Sequence, residues 1–272
     1  MNLRSIPAEL SEHRVSDIDR ILGELEREHR VTIPLAVESG SRAWGFASPD
    51  SDYDCRFVYV GKPERYLSPW LARDVIEVPI QGDFDVNGWD LGKALKLMLK
   101  GNAVILEWLQ SPIVYKGESQ FRDEFLALAL RWSDRALIAR HYLHLGERQR
   151  RTYFSDRKLI PLKKVFYALR PAAALRWLRL RPGASVVPMH FPTLMDECNP
   201  PATVKGIIAD LMSKKAQTRE LGAAPLPPEI ARFIADEFDK ARIVNQSAIV
   251  RVDPEARVEA ARFFRESVER SG

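Results

Sequence analysis

Asp52 and Asp54 stand one residue apart at the head of the β-prone run DYDCRFVYV, and Gly40-Ser41 lies ten residues upstream of them. Side chains alternate along a strand, so acids at i and i+2 project from one face. Two carboxylates that close repel unless a cation neutralises them, and hard oxygen donors suit Mg2+ or Mn2+. Two such ions about 4 Å apart can stabilise both the attacking and the leaving oxygen of a phosphoryl displacement. The Gly40-Ser41 turn supplies the complementary half. Glycine lets backbone approach a phosphate, the serine hydroxyl donates, and the N–H groups of the next turn point at an anion. Arg42 adds charge beside it or points to solvent. Asp-x-Asp alone is common in turns, and it gains meaning here from Gly-Ser at this distance between two strands.

The surrounding pattern predicts the elements that must hold these groups. Ser16–Arg30 carries Ile18, Ile21, Leu22 and Leu25 at helical spacing, with Ser16 or Asp17 as cap. Val31–Glu38 is a short apolar strand candidate leading into Gly40-Ser41, and Ser48–Ser51 is a turn cluster. Asp52–Val60, Asp74–Ile80 and Asp83–Trp89 read as further strands, the last two joined as a hairpin through Gln81-Gly82. From Asp90 the period changes to helical, with a stop near Gly101, a second helix capped by Asn102, and a connector over Ser111–Lys116. Everything after Glu118 reads as helix: 120–132, 135–147, 161–180, 201–220, 228–245 and 254–270. The fold class expected is α+β, a mixed sheet with helices followed by an all-helical region, divided into 1–117 and 118–272.

In the helical half Lys163, Tyr167 and Arg170 fall at i, i+4 and i+7 and share a helix face, where two cations could grip a triphosphate and a ring could stack on a base. A solvated amphipathic face is the plainer reading. Pro171 should end or kink that helix. Trp44 and Trp89 read as core before base-stacking, Cys55 as core, and Arg135-x5-His141 as a chance match. His141 and His144 lie a turn apart without a third metal ligand.

The stretches GSRAWGFASPDSDYDCRFVYV, DVNGWDLGKALKLMLKGNAVILEWLQSPIVY and KKVFYALRPAAALRWL resemble the polymerase-beta nucleotidyltransferase superfamily, and most closely its RNA-repair-pathway branch. The resemblance implies a polymerase-beta-like nucleotidyltransferase domain over 1–117 and a helical domain over 118–272. It implies two Mg2+ or Mn2+ ions on Asp52, Asp54 and a third carboxylate from the next strand. Asp83 and Asp85 share that strand face, the resemblance aligns Asp85, and Asp90 belongs at a helix cap. It also makes Lys164 a nucleotide ligand beside Lys163, Tyr167 and Arg170. The implied reaction moves a nucleoside monophosphate from an NTP to a hydroxyl, with an RNA 3′ end as first choice. A protein or small-molecule acceptor, or an inactive binding module, are the alternatives.

Composition sets the outer bounds. Net charge is only +4, yet 131–182 holds 14 Lys and Arg against three Asp and Glu. So uneven a distribution suits a phosphate-rich partner. No apolar run approaches the roughly 20 residues of a bilayer span, so no membrane partner is expected. Two distant cysteines outside any CxxC pattern argue against a disulfide framework and for a reducing cytoplasm.

Overall fold

The computed structural model describes residues 1–70, 72–80, 82–154, 159–218, 221–245 and 252–271. In chain order the first half comprises β1 (Asn2–Ser5), α1 (Glu12–His29), β2 (Val31–Glu38), α2 (Gly40–Ala43), β3 (Tyr53–Gly61), α3 (Pro63–Leu67), β4 (Val75–Glu77), β5 (Phe84–Asp90), α4 (Leu91–Leu99), α5 (Ala103–Gln110) and β6 (Val114–Glu118). The second half comprises α6 (Ser119–Trp132), α7 (Arg135–Phe154), β7 (Ile160–Pro161), α8 (Leu162–Leu180), α9 (Phe191–Cys198), α10 (Ala202–Gln217), β8 (Ala223–Ala224), α11 (Pro228–Asn245) and α12 (Pro254–Ser271). The α+β class expected from the sequence is what the chain adopts.

Six strands form a mixed sheet in the order β1-β6-β2-β3-β5-β4. β2 and β3 are antiparallel, whereas β3 and β5 run parallel, with Asp54 opposite Asp85. Alternation along β3 sorts its residues by face. Tyr53, Cys55, Phe57 and Tyr59 join Ile18, Leu22 and Leu25 of α1 in one apolar cluster. Val58 and Val60 face the other way, into the larger cluster that runs from Leu35 through α8 to Val268. Asp54 and Arg56 share that second face by period 2. The catalytic candidates therefore look toward the helical half.

Several boundaries differ from the sequence reading. α1 begins a turn early, after Ser11. The supposed connector 111–116 contains β6, a strand between β1 and β2. Its run Val114-Tyr115-Lys116-Gly117 is too short for periodicity to reveal, and pairing on both edges makes it a strand. The predicted Gln81-Gly82 hairpin falls partly outside the described residues, but β4 and β5 do pair antiparallel. The C-terminal half is not wholly helical, because β7 and β8 form a small ladder. Pro171 neither ends nor interrupts α8, which continues to Leu180. A mid-helix proline costs about 3 kcal/mol. Here Val165, Phe166, Ala168, Leu169, Ala172, Ala173 and Ala174 are all fully buried, and that burial outweighs the lost hydrogen bond. Asn102 caps α5 as expected, its side chain accepting from Val104 N–H. No helix among the described residues is long and apolar enough to cross a membrane.

Candidate active site

β2 ends at Glu38, the chain turns through Ser39, and Gly40 opens the single-turn helix α2. Gly40 adopts φ +61°, and a Cβ there would lie 2.1 Å from Oδ2 of Asp54. Only glycine permits both the left-handed backbone and the carboxylate resting against it. Ser39 N–H donates to the Asp54 carbonyl at 2.9 Å, fixing the turn to the head of β3. The Ser41 hydroxyl donates to Ser51 Oγ at 2.9 Å, so the two ends of the 41–52 loop are tied. Arg42 does not point to bulk solvent. Its guanidinium donates to the carbonyls of Ser51 and Asp52 and lies 4.1 Å from the Tyr53 ring centroid. It acts on the loop that carries the carboxylates.

Asp54 and Asp85 face one another across β3 and β5, and Arg56 lies between them. Its Nη2 is 3.2 Å from Asp54 Oδ1 and 2.6 Å from Asp85 Oδ2. Asn87 adds a 3.3 Å hydrogen bond to Asp85. Burial raises the Asp54 pKa, Arg56 opposes that, and the charges of Asp85 and Asp52 push it up again. Asp52 is exposed just ahead of β3, close enough for Asp54 to feel it. Of the two third-carboxylate candidates, Asp85 stands beside Asp54, whereas Asp83 turns to Arg14 of α1 at 3.3 Å. Asp90 caps α4, accepting from Gly92 N–H at 2.8 Å and from the Tyr66 hydroxyl at 2.9 Å.

Among the described residues no group of three or more His, Cys, Asp or Glu converges to hold an ion. Between Asp54 and Asp85 the guanidinium of Arg56 takes the place a cation would fill. The donor set fits Mg2+ or Mn2+ in chemistry, being hard carboxylate oxygens at adjoining strand starts with a glycine cradle behind them. Arg56 must swing aside for an ion to be shared.

Beneath the pair lies Glu38, fully buried. It accepts from Asp54 N–H at 3.0 Å and from the Tyr115 hydroxyl at 2.5 Å. Burial pushes its carboxyl up to about 7, against the hydrogen bonds from Tyr115 and Asp54.

α8 forms the opposite wall. Burial raises the Tyr167 phenol, and Asp54 and Asp52 add to that shift, which places this ring within reach of their charge. Tyr167 meets Trp44 edge to face at 6.1 Å. Lys164 Nζ sits between the Tyr153 and Tyr167 rings, at 4.8 and 4.9 Å. Lys163 contributes charge felt by Lys215 of α10, as does Arg42 of α2. Tyr167 thus stands beside Trp44 and within reach of the carboxylates, with Lys164 against its ring.

Arg170 is not gathered with them. It is 3% exposed, and its Nη1 donates to Glu107 Oε1 at 2.8 Å. Its guanidinium lies 4.6 Å from the Trp44 ring centroid and also donates to the Met189 carbonyl at 3.2 Å. Glu107 accepts further bonds from the Tyr142 hydroxyl at 3.0 Å and Trp44 Nε1 at 3.2 Å. Arg170 shares the helix face of Lys163 by spacing, but two helical turns further on that face has entered the core. A guanidinium so engaged supports the wall and does not offer itself to a phosphate. Trp89 packs on Trp108 at 4.1 Å, as a core residue does. Arg135 donates to the Leu178 carbonyl at 2.7 Å, and burial lowers the pKa of His141.

Sequence reasoning passed over four residues of this region. Arg56 and Glu107 carried a signal: the first is i+2 from Asp54, and the second is a lone acid in the apolar run AVILEWLQ. Glu38 and Lys215 carried none, since their importance arises from partners far away in the chain. On the outer side of α7, Arg140, His144, Arg148 and Arg151 form a row that makes no ion pair or side-chain hydrogen bond among the described residues, in a molecule whose other arginines are mostly paired.

Comparison with known proteins places the chain in a family. The Bacillus subtilis (strain 168) protein named uncharacterized protein YcgL is 38% identical over 224 residues, spanning 81% of this chain and 85% of that protein. The sequence profile of RlaP, the RNA repair pathway DNA polymerase beta family, matches residues 15–266. The chain belongs to that family.

Proposed function

We propose that this member of the RNA repair pathway DNA polymerase beta family transfers a nucleoside monophosphate from an NTP to an RNA 3′ hydroxyl, releasing pyrophosphate. The observation that carries the reading is the pairing of Asp54 with Asp85 on adjoining strands, against a Gly40 that no larger residue could replace. Asp52, Asp54 and Asp85 would hold two Mg2+ or Mn2+ ions, which when bound supply charge stabilisation for the attacking and leaving oxygens. The chain's own groups do the rest by positioning and electrostatics, which suffices for phosphoryl transfer. Gly40 and Ser41 present backbone and hydroxyl donors to the phosphates, Lys163 and Lys164 add charge, and Tyr167 offers a ring beside the carboxylates. Arg42 holds the 51–52 backbone from which Asp52 projects. Arg170 keeps Trp44 and α8 in place behind this surface.

RNA is favoured as acceptor by the family's own designation and by the row on α7. Arg140, His144, Arg148 and Arg151 are spaced for one helix stripe, spanning roughly 16 Å at 1.5 Å per residue. The helix continues to Tyr153, which touches Lys164 at the site. A strand lying along this row would lead its end to the carboxylates.

The test is incubation of the full chain with each labelled NTP, Mg2+ and RNA bearing a free 3′ hydroxyl. Labelled, lengthened RNA is expected, and Asp54→Asn should abolish it while melting normally. Label on protein or a small molecule instead would overturn the RNA acceptor. Equal product from a well-folded Asp54→Asn would overturn the mechanism.

A further inference from the structure

Asp54, Arg56, Asp85 and Asn87 form a square on one face of the sheet. In the parallel register of β3 and β5, Asp54 stands opposite Asp85 and Arg56 opposite Asn87. Residues two apart on a strand face the same way, so all four side chains meet on that face. From its corner Arg56 reaches back over the acids. Its Nη1 donates to the Asp85 carbonyl at 2.6 Å and to the Cys55 carbonyl at 3.1 Å, while Nη2 spans the two carboxylates. The Arg56 side chain is 15% exposed, so these charge-assisted bonds form in a largely water-free setting where they are strong.

The hold on the two acids is unequal. Asp85 gives Oδ2 to Nη2 at 2.6 Å, Oδ1 to the Asn87 amide at 3.3 Å, and its main-chain carbonyl to Nη1. Asp54 meets the same Nη2 at 3.2 Å. A metal ion drawing on Asp52 and Asp54 leaves the grip on Asp85 in place. An ion drawing on Asp85 must displace Nη2 from it. A guanidinium is a rigid planar fork, so turning Nη2 away also pulls Nη1 from its two carbonyls.

We infer that Arg56 is a positioning residue that withholds Asp85 from metal, so that the two ions of the proposed reaction bind with unequal affinity and the one needing Asp85 binds at the expense of the Arg56 fork. The inference rests on the nucleotidyltransferase reading. It gives a cation of the site, and not its acids alone, control over when the carboxylate set is complete.

The experiment is a Mn2+ titration of the full chain, with free ion read by electron paramagnetic resonance, for wild type, Arg56→Gln, Arg56→Lys and Arg56→Gln combined with Asp85→Asn. Wild type should bind two ions in steps at least about tenfold apart. Arg56→Gln should tighten the weaker step at least about tenfold, or about 1.4 kcal/mol, and the stronger step less than about threefold. Arg56→Lys keeps the charge but loses the fork, so it should show most of the same tightening. Adding Asp85→Asn should abolish the gain. Equal tightening of both steps, none, or wild-type behaviour of Arg56→Lys would overturn the inference and leave the nucleotidyltransferase reading intact. Should Arg56→Gln not fold, Arg56→Lys decides by the same measure. Equal affinities for the two ions in wild type would overturn the inference whatever the variants do. Absence of any Mn2+ binding by wild type would remove the two-ion reading and the inference together.

Discussion

Replacing Arg170 by Met separates two roles that sequence spacing alone would merge. A phosphate ligand on an open face would cost nucleotide affinity and leave the fold unmoved. The structure gives a different expectation. Arg170 and Glu107 are 3% and 4% exposed, and their 2.8 Å contact lies inside a network with Tyr142 and Trp44. Removing one partner strands the other charge in the core, at about 3–5 kcal/mol. For a chain of this length each kcal/mol lowers the melting temperature by about 2–3 °C, so the loss should be roughly 6–15 °C. Glu107→Gln in the same chain removes the stranded charge while keeping an acceptor for Tyr142. The double variant should therefore recover about half of the loss. The assay is thermal and urea melting of the wild type, both single variants and the double variant, with nucleotide affinity measured well below the lowest melt. A variant Arg170→Met that melts within a degree or two of wild type but binds nucleotide poorly would refute the framework role and return Arg170 to the phosphates.

Glu38 should make stability fall with rising pH, because its carboxyl is raised from 4.5 to about 7 in the fold. The stabilising effect of a proton held there is complete below about pH 4.5 and is lost as pH rises through 7, at most about 3 kcal/mol. Urea melts of Glu38→Gln should thus gain on wild type across that window and level off above it, and a pH-independent difference would refute the assignment. The α7 row should carry RNA affinity in a salt-dependent manner. Arg140, Arg148 and Arg151 changed together to Gln should flatten the log–log salt slope for single-stranded RNA by about 2, at 0.7 per lost phosphate contact. An unchanged slope in a variant that still binds RNA would place the strand elsewhere.

What the sequence revealed and what it hid follow from how far each interaction reaches along the chain. Gly40-Ser41, Asp52 and Asp54 were legible because local spacing dictates a turn followed by a strand, and period 2 then sets which way the acids face. The choice of Asp85 over Asp83 was legible only through resemblance. Both positions share a strand face by parity, and it is Arg14 on α1 that draws Asp83 aside. Strand β6 was missed since a short run between two neighbours gains its stability from pairing on both edges, which no window of 111–118 contains. Arg170 shows the converse failure. Helical periodicity correctly placed it on the face of Lys163 and Tyr167, but a face is a direction and not a depth. Whether position i+7 meets solvent or core depends on Trp44 and Glu107, which arrive from sequence positions over 60 residues away. Lys215 repeats the lesson with opposite sign. In the run SKKAQ it looks like an ordinary solvated helix end, and only the carbonyl of Phe46, 169 residues upstream, turns it inward. The nucleotide-site candidate that sequence misjudged is therefore a cation of the helical half, Arg170. A long charged side chain is placed by whichever distant segment covers it, while a short carboxylate on a strand goes where its own backbone points it.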